Sequence, residues 1–181
     1  MAPLTVATRL LRLDGDSWSR LDDDEGLAVA ALVAMGAYGV LAYDRFGPQA
    51  FFDPRATVRF LLTGFYGWLW LAGAAWAIGR TLLSSDASFA SVFRLFGYAH
   101  LPLLVVAIAI QLVSVLFHVL GPAGMVAIFV VVFWLPASLI AATRTALSVG
   151  TRTSFFVVVG PYIVWLLAVA RLLQTQLGHL L

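Results

Sequence analysis

Five apolar runs of roughly membrane-spanning length, each with at most one charged residue, constrain the fold of this chain more than any other feature. A bilayer core about 30 Å thick is crossed by about 20 apolar residues in a helix. Soluble domains are roughly 45–50% apolar and about 25% charged, whereas this chain of 181 residues is 62% apolar and 11% charged. We therefore expect an all-α, polytopic membrane helical bundle with five transmembrane helices, at residues 26–43, 60–83, 101–120, 125–142 and 155–173.

The segments that flank these runs are short, which predicts a single domain. Residues 1–25 form a short N-terminal tail, residues 26–173 the five-helix domain and residues 174–181 a short C-terminal tail. The first run is too long for a signal peptide and follows an acidic stretch, so we expect it to be a retained helix. Asp53 followed by Pro54 predicts that the second helix begins before its apolar run.

The segment 84–100, between the second and third runs, is too polar to span a membrane but has helical periodicity. Residues 84–86 supply cap candidates, and Ser91 and Arg94 fall opposite an apolar face. The side chains of that face are Phe89, Val92, Phe93 and Phe96. The pattern predicts a short amphipathic helix in the membrane interface, or alternatively a helix whose apolar face packs on the bundle.

All 11 basic residues are arginines, and their distribution predicts the orientation of the protein in the membrane. Seven fall on one side of the five spans: Arg9, Arg12, Arg20, Arg80, Arg94, Arg144 and Arg152. Four fall on the other side: Arg45, Arg55, Arg59 and Arg171. Because the more basic side of a membrane protein faces the cytoplasm, we expect a cytoplasmic N-terminus and a C-terminus outside.

Small residues and prolines within the runs predict how the helices pack. Small residues recur every four positions in two helices: Gly26, Ala30 and Ala34 in the first, Gly73 and Ala77 in the second. This spacing lets helix backbones approach closely. Pro136 and Pro161 lie inside the fourth and fifth runs, where each can kink a helix, either to fit the bundle or to open a cavity.

The sequence contains little that could carry catalysis. Asp86 is the only carboxylate after Pro54, so no acid–base pair, acidic metal cage or proton relay is expected in the later spans. The chain has no cysteine, and its histidines, His100, His118 and His179, are too far apart along it to suggest a metal site. We expect no enzymatic activity, no catalytic residue, no metal and no cofactor. A net charge of +2 also argues against binding to nucleic acid.

The most notable polar residues of the spans are Gln111, Ser114 and His118, at positions i, i+3 and i+7 of the third run. This spacing places the three side chains on one helix face. They predict either interhelical hydrogen bonds, worth about 0.6 kcal/mol each, or a polar groove or partner contact inside the membrane.

The segment 91–102 resembles the signature of Yip1-domain membrane proteins. In that family a short helix leads to a Gly-Tyr-Ala motif and then, after two residues, to a proline that opens a transmembrane span. The matching residues here are Gly97, Tyr98, Ala99 and Pro102. A small-residue loop at 145–152, which leads to Gly160 and Pro161 in the last run, is a further similarity. Five spans with a cytoplasmic N-terminus are also the topology of this family.

The resemblance implies a non-catalytic membrane protein. Eukaryotic relatives act in vesicle traffic and contact small prenylated GTPases, whereas the short tail and the use of arginine without lysine resemble a prokaryotic member. We expect a scaffold or an assembly or trafficking factor in a prokaryotic cell membrane, which binds membrane lipid and either a membrane-protein partner or further copies of itself. The residues expected to form its binding surface are Phe93, Arg94, Gly97, Tyr98, Pro102, Arg144 and Arg152. The alternative is a small transporter or channel, or a subunit of one.

Overall fold

The computed structural model describes residue 18 and residues 26–46, 54–117, 129 and 133–177, and these residues form a bundle of six helices without strands. In chain order the helices are α1 (Leu27–Phe46), α2 (Pro54–Leu82), α3 (Phe89–Tyr98), α4 (Leu101–Phe117), α5 (Leu135–Leu147) and α6 (Thr151–Leu177). The all-α bundle predicted from the sequence is confirmed. The start of α2 at Pro54 was also predicted.

The outer surface of the bundle is apolar, as expected for helices in lipid. Large exposed apolar side chains include Leu32, Tyr66, Phe156 and Leu167. Three segments are long and apolar enough to cross a membrane: Leu61–Leu82, Phe89–Ala109 and Thr151–Ala168. Leu27–Val40, which is part of α1, is a shorter apolar helical segment. Because the run at 125–142 lies partly outside the described residues, the count of five spans stays a prediction.

The short helix α3 lies at the centre of the bundle. Ser88 caps its N-terminus by accepting a hydrogen bond from the backbone N–H of Ser91 at 3.1 Å. The helix packs against α1, α2 and α5. The short helix predicted from the sequence is therefore present, but its polar side, with Ser91 and Arg94, is buried, as are Val92 and Phe96 of its apolar side. Of the two sequence-based alternatives, packing on the bundle is the one observed.

The connection between α5 and α6 is shorter than expected. Residues 145–147, predicted to lie in a loop, form the last turn of α5, and α6 begins at Thr151 rather than near residue 155. Ser148 ends α5 in a left-handed conformation, with φ of 54°. The carbonyl of Gly150 accepts hydrogen bonds from the backbone N–H and the hydroxyl of Ser154, at 3.0 and 3.1 Å, which fixes the first turn of α6.

Pro136 lies at the start of its helix, whereas Pro161 lies in the interior of its helix. Pro136 lies in the first turn of α5, where a backbone N–H would have no acceptor within the helix, so proline costs no hydrogen bond there. A π-helical turn at residues 133–134 precedes it. Pro161 lies inside α6, as predicted. Its carbonyl accepts a hydrogen bond from the Trp70 indole of α2 at 3.1 Å, so this region of α6 is tied to α2.

The small residues of α1 and α2 have different surroundings. Ala30 and Ala34 are fully buried, which confirms close packing along α1. A Cβ atom on Gly73 would meet no atom within 4 Å, and Ala77 is exposed. The predicted close helix contact at these two positions is therefore wrong within the described part of the chain. The approach of α6 to α2 occurs instead at Gly67, where the Trp165 indole occupies the space that a Cβ would need.

Candidate functional site

Gly97 is the point at which α1, α2 and α3 meet. A Cβ atom at this position would lie 2.9 Å from the Cβ and the carbonyl oxygen of Ala30, and 2.9 Å from the Trp68 ring. These separations are shorter than the contacts that packed carbon atoms make. Glycine is therefore required for the three helices to approach this closely.

Trp68, whose ring contacts the Gly97 position, also joins α2 to α3 through Phe93. Its ring stacks on Phe93, with centroids 3.9 Å apart and planes 9° from parallel. The indole N–H donates to the carbonyl oxygen of Phe93 at 2.8 Å. About two turns further along α2, the Trp76 indole donates to the carbonyl of Ala87 at 3.2 Å. Two tryptophans of α2 thus hold α3 and the segment that leads into it.

Tyr98 ties the end of α3 to the start of α1. Its hydroxyl donates to the carbonyl oxygen of Gly26 at 3.0 Å, and its side chain is buried. Gly26 follows the acidic stretch directly in the sequence. The Tyr98 hydrogen bond therefore fixes the position at which the chain enters α1.

His100 forms a buried polar junction between α3, α4 and α1. It is 0% exposed. Its Nδ1 lies 2.8 Å from the carbonyl oxygen of Phe96 and its Nε2 lies 3.3 Å from the Tyr38 hydroxyl. Because a carbonyl can only accept, Nδ1 is the donor in the first contact, and Nε2 of the neutral ring then accepts from Tyr38.

α3 ends at this point because the imidazole N–H of His100 replaces a backbone N–H as the donor to the carbonyl of Phe96. The backbone N–H of His100 bonds to Gly97 at 3.1 Å rather than to Phe96, whose carbonyl takes the imidazole N–H instead. Pro102 has no N–H to continue the pattern. The residues of the Gly-Tyr-Ala motif and Pro102 therefore break the chain into α3 and α4 while keeping the carbonyl of Phe96 satisfied.

Replacing Tyr38 with phenylalanine is expected to lower the free energy of unfolding by about 1–3 kcal/mol, because it leaves a buried ring nitrogen of His100 without a donor. Unfolding of the purified protein in mixed detergent micelles measures this. Tyr66→Phe, on the exposed side of α2, is the matched control and should change stability by about 0.5 kcal/mol or less. Equal effects of the two substitutions would contradict the assigned hydrogen bond.

Arg94 lies inside the bundle. Its side chain is 4% exposed, and it lies close enough to Tyr98 for an electrostatic interaction. Because its side chain is enclosed by the bundle, Arg94 is part of the interior around α3. It does not belong among the loop arginines that indicate orientation. The remaining count, six against four, predicts the same orientation.

Three exposed arginines lie at one end of the bundle, which we call the arginine end: Arg80, Arg144 and Arg152. They come from the last turn of α2, the last turn of α5 and the first turn of α6. The ends of α2 and α5 are adjacent, since a Cβ on Gly79 would lie 2.7 Å from the Leu147 side chain. Asp86 lies at the same end and forms an exposed salt bridge with Arg80 at 3.1 Å.

The seven residues predicted to form a binding surface fall into two groups. Arg144 and Arg152 are exposed at the arginine end. The other five belong to the interior of the bundle. Phe93 is half-buried, and the remaining four are buried: Arg94, Gly97, Tyr98 and Pro102. In this structure the motif residues hold helices together, and the arginines are the members of the set that a partner can reach.

The predicted intramembrane polar face is not described as a unit. Gln111 and Ser114 lie in α4, but their side chains are outside what the structure describes, and His118 lies outside the described residues altogether. Their shared face stays a prediction. Among the described residues, no three histidine, aspartate or glutamate side chains gather as metal ligands do.

Comparison with known proteins decides the family. The family model described as Yip1 domain matches residues 9–172. The chain belongs to the Yip1 domain family. No curated protein and no solved structure matches the chain significantly. It is therefore a membrane protein of the Yip1 type, as the resemblance of its motif predicts.

Several residues that organise this Yip1 domain were given no structural role from the sequence. Trp68 and Trp76 looked like two of many apolar residues in a span, and their roles depend on indole N–H groups that reach carbonyls of another segment. Tyr38 and His100 are 62 residues apart in sequence. A polar residue in an otherwise apolar run is the one signal that could have marked them, since such residues need partners in a membrane.

Proposed function

We propose that the protein is a non-catalytic membrane scaffold of the Yip1 type, which binds a partner through the arginine end. The observation that supports this best is that Arg80, from the last turn of α2, lies at the same end as Arg144 and Arg152, which flank the junction of α5 and α6 far along the chain. Arg144 and Arg152 are free of the packing that encloses the motif. The motif itself positions these helices and does not contact the partner.

The chemistry of the arginine end favours an acidic partner. Guanidinium groups bind carboxylates through paired, charge-assisted hydrogen bonds. Within the described residues Asp86 is the carboxylate at this end, and it is engaged with Arg80. The exposed charge of the surface is therefore positive, and an acidic segment of a membrane protein fits it better than a basic one.

The proposal includes the orientation and location expected from the sequence. The arginine end faces the cytoplasm of a prokaryotic cell and the N-terminus lies on the same side, because arginines are retained on the cytoplasmic side. The partner segment is then cytoplasmic as well. A further copy of the same chain can supply such a segment, since the N-terminal tail is rich in aspartate.

Reversing two charges should abolish partner binding if the proposal holds. Tagged full-length protein is extracted from its own membranes in mild detergent, and co-purifying proteins are quantified for the unmodified chain and for R144E/R152E. We expect recovery of the specific partner to fall at least tenfold in the double variant. R55E changes an exposed arginine at the other end of α2 and should leave recovery unchanged.

Two results would contradict the proposal. One is loss of the partner in R55E as much as in R144E/R152E, because the effect would then not depend on the arginine end. The other is substrate-dependent flux by the purified protein alone in proteoliposomes, which a scaffold cannot produce and which would favour the transporter alternative.

A further inference from the structure

A groove runs along the outside of the bundle between α2 and α6. Its volume is about 950 Å³, which is within the range of sites that hold small molecules. The residues that define it are Gly67, Trp70, Gly73, Ala77, Ile78 and Trp165. The small residues form its floor, and the exposed Trp70 ring stands beside it. The groove is apolar and open on one side.

Gly73 shows that no helix of the described chain fills this groove. A Cβ atom there would meet nothing within 4 Å, whereas one at Gly67 would clash with the Trp165 indole. The small residues at the floor therefore leave open space in the middle of the groove, while Trp165 closes the space behind Gly67. In a membrane, such an apolar space is filled by something other than water.

A second, smaller hollow continues the groove to the arginine end. It has a volume of about 400 Å³ and shares Ile78 with the first. Its other lining residues include Leu82, Arg152 and Thr153. The path along α2 therefore starts as an apolar groove and ends beside an exposed guanidinium.

The two ends of this path match the two parts of a phospholipid. From Gly67 to Ile78 the helix rises about 16 Å, close to the roughly 15 Å that one leaflet contributes to the hydrocarbon core. At the polar end, Arg152 can form paired hydrogen bonds to a phosphate. The first turn of α6 adds the positive end of its helix dipole, which also favours an anion.

We propose that this groove is a binding site for one anionic phospholipid, with an acyl chain along Gly73 and Ala77 and the phosphate at Arg152. A transmembrane helix from another protein would also fit small residues, but it would not bring a phosphate to Arg152, where the apolar path ends. The lipid site shares Arg152 with the proposed partner surface but does not depend on partner binding, because its groove lies on the lipid-facing side of α2 and α6.

Native mass spectrometry of the full-length protein, titrated with phosphatidylglycerol or phosphatidylcholine, tests this site. The unmodified protein should bind one phosphatidylglycerol at least tenfold more tightly than phosphatidylcholine. Gly73→Leu, which fills the groove, should weaken this binding at least tenfold, and Arg152→Gln should remove most of the preference for the anionic lipid. Gly39→Leu is the matched control, because a Cβ on Gly39 also meets nothing within 4 Å but lies on α1.

The lipid site would be overturned by equal affinity for the two lipids, by unchanged binding in Gly73→Leu, or by equal loss in Gly39→Leu. A dimer that Gly73→Leu converts to a monomer, without any change in lipid binding, would also overturn it and would assign the groove to a second copy. Because Gly73→Leu leaves the three arginines in place, it should not alter partner recovery. Failure of the lipid site and failure of the scaffold proposal are therefore distinguishable.

Discussion

Replacing Gly97 with leucine is expected to destabilise the protein by about 3 kcal/mol or more, the upper part of the range for overpacked interiors. Even a Cβ atom at this position would lie 2.9 Å from Ala30 and from the Trp68 ring. Relief would require α1 and α2 to move away from α3, which would break the contacts at the centre of the bundle. Reversible unfolding in mixed detergent micelles, followed by helical circular dichroism, gives the free-energy change.

The same substitution at Gly39 separates this steric effect from the change of residue type. Gly39 is also helical, and a Cβ there meets no atom within 4 Å. Because leucine has a higher helix propensity than glycine, Gly39→Leu should leave stability unchanged or raise it by up to about 1 kcal/mol. A loss of stability in Gly39→Leu comparable to that in Gly97→Leu would contradict the assignment of Gly97 as the crossing point of three helices.

Truncating Trp68 to alanine is expected to cost about 3–5 kcal/mol, as for other large aromatic residues in protein interiors. The side chain is 1% exposed. Its removal takes away the stacking on Phe93 and the hydrogen bond to the Phe93 carbonyl, and leaves a cavity between α2 and α3. Unfolding under the same micelle conditions measures the loss.

Trp70→Ala is the control for Trp68→Ala, because it removes the same side chain from the same helix. Trp70 is 48% exposed and its hydrogen bond to Pro161 is also exposed. We therefore expect a cost of about 1 kcal/mol or less. If the two alanine variants were equally destabilised, Trp68 would not be the main link between α2 and α3.

The fold could be predicted largely from local features. The apolar runs and the acidic stretch before Gly26 placed α1, and Pro54 marked the start of α2. The motif placed the junction of α3 and α4 correctly, because Pro102, three residues after Ala99, cannot continue the hydrogen bonding of the preceding helix. The boundary between α5 and α6 was predicted less well, since nothing in the sequence marks Ser148 as a left-handed residue.

The surroundings of individual residues could not be predicted in the same way. The periodicity of α3 distinguishes an apolar from a polar face, but it does not reveal that α1, α2 and α5 enclose both. Arg94 was therefore expected at the surface and is buried. The equal spacing of small residues in α1 and α2 hides a similar difference, because Ala30 contacts α3 whereas Gly73 faces an open groove. These distinctions depend on which helices are neighbours in space.

Cysteine labelling tests most directly whether the motif is enclosed and the arginine end is cytoplasmic. Because the chain has no cysteine, each of Thr151→Cys, Arg55→Cys and Ala99→Cys introduces a single thiol. In intact cells a membrane-impermeant maleimide should label Arg55→Cys, and only permeabilised cells should allow labelling of Thr151→Cys. Ala99→Cys, at a fully buried position, should resist labelling until the protein is denatured. Labelling of Thr151→Cys in intact cells would reverse the orientation, and rapid labelling of Ala99→Cys in the folded protein would contradict the enclosed motif.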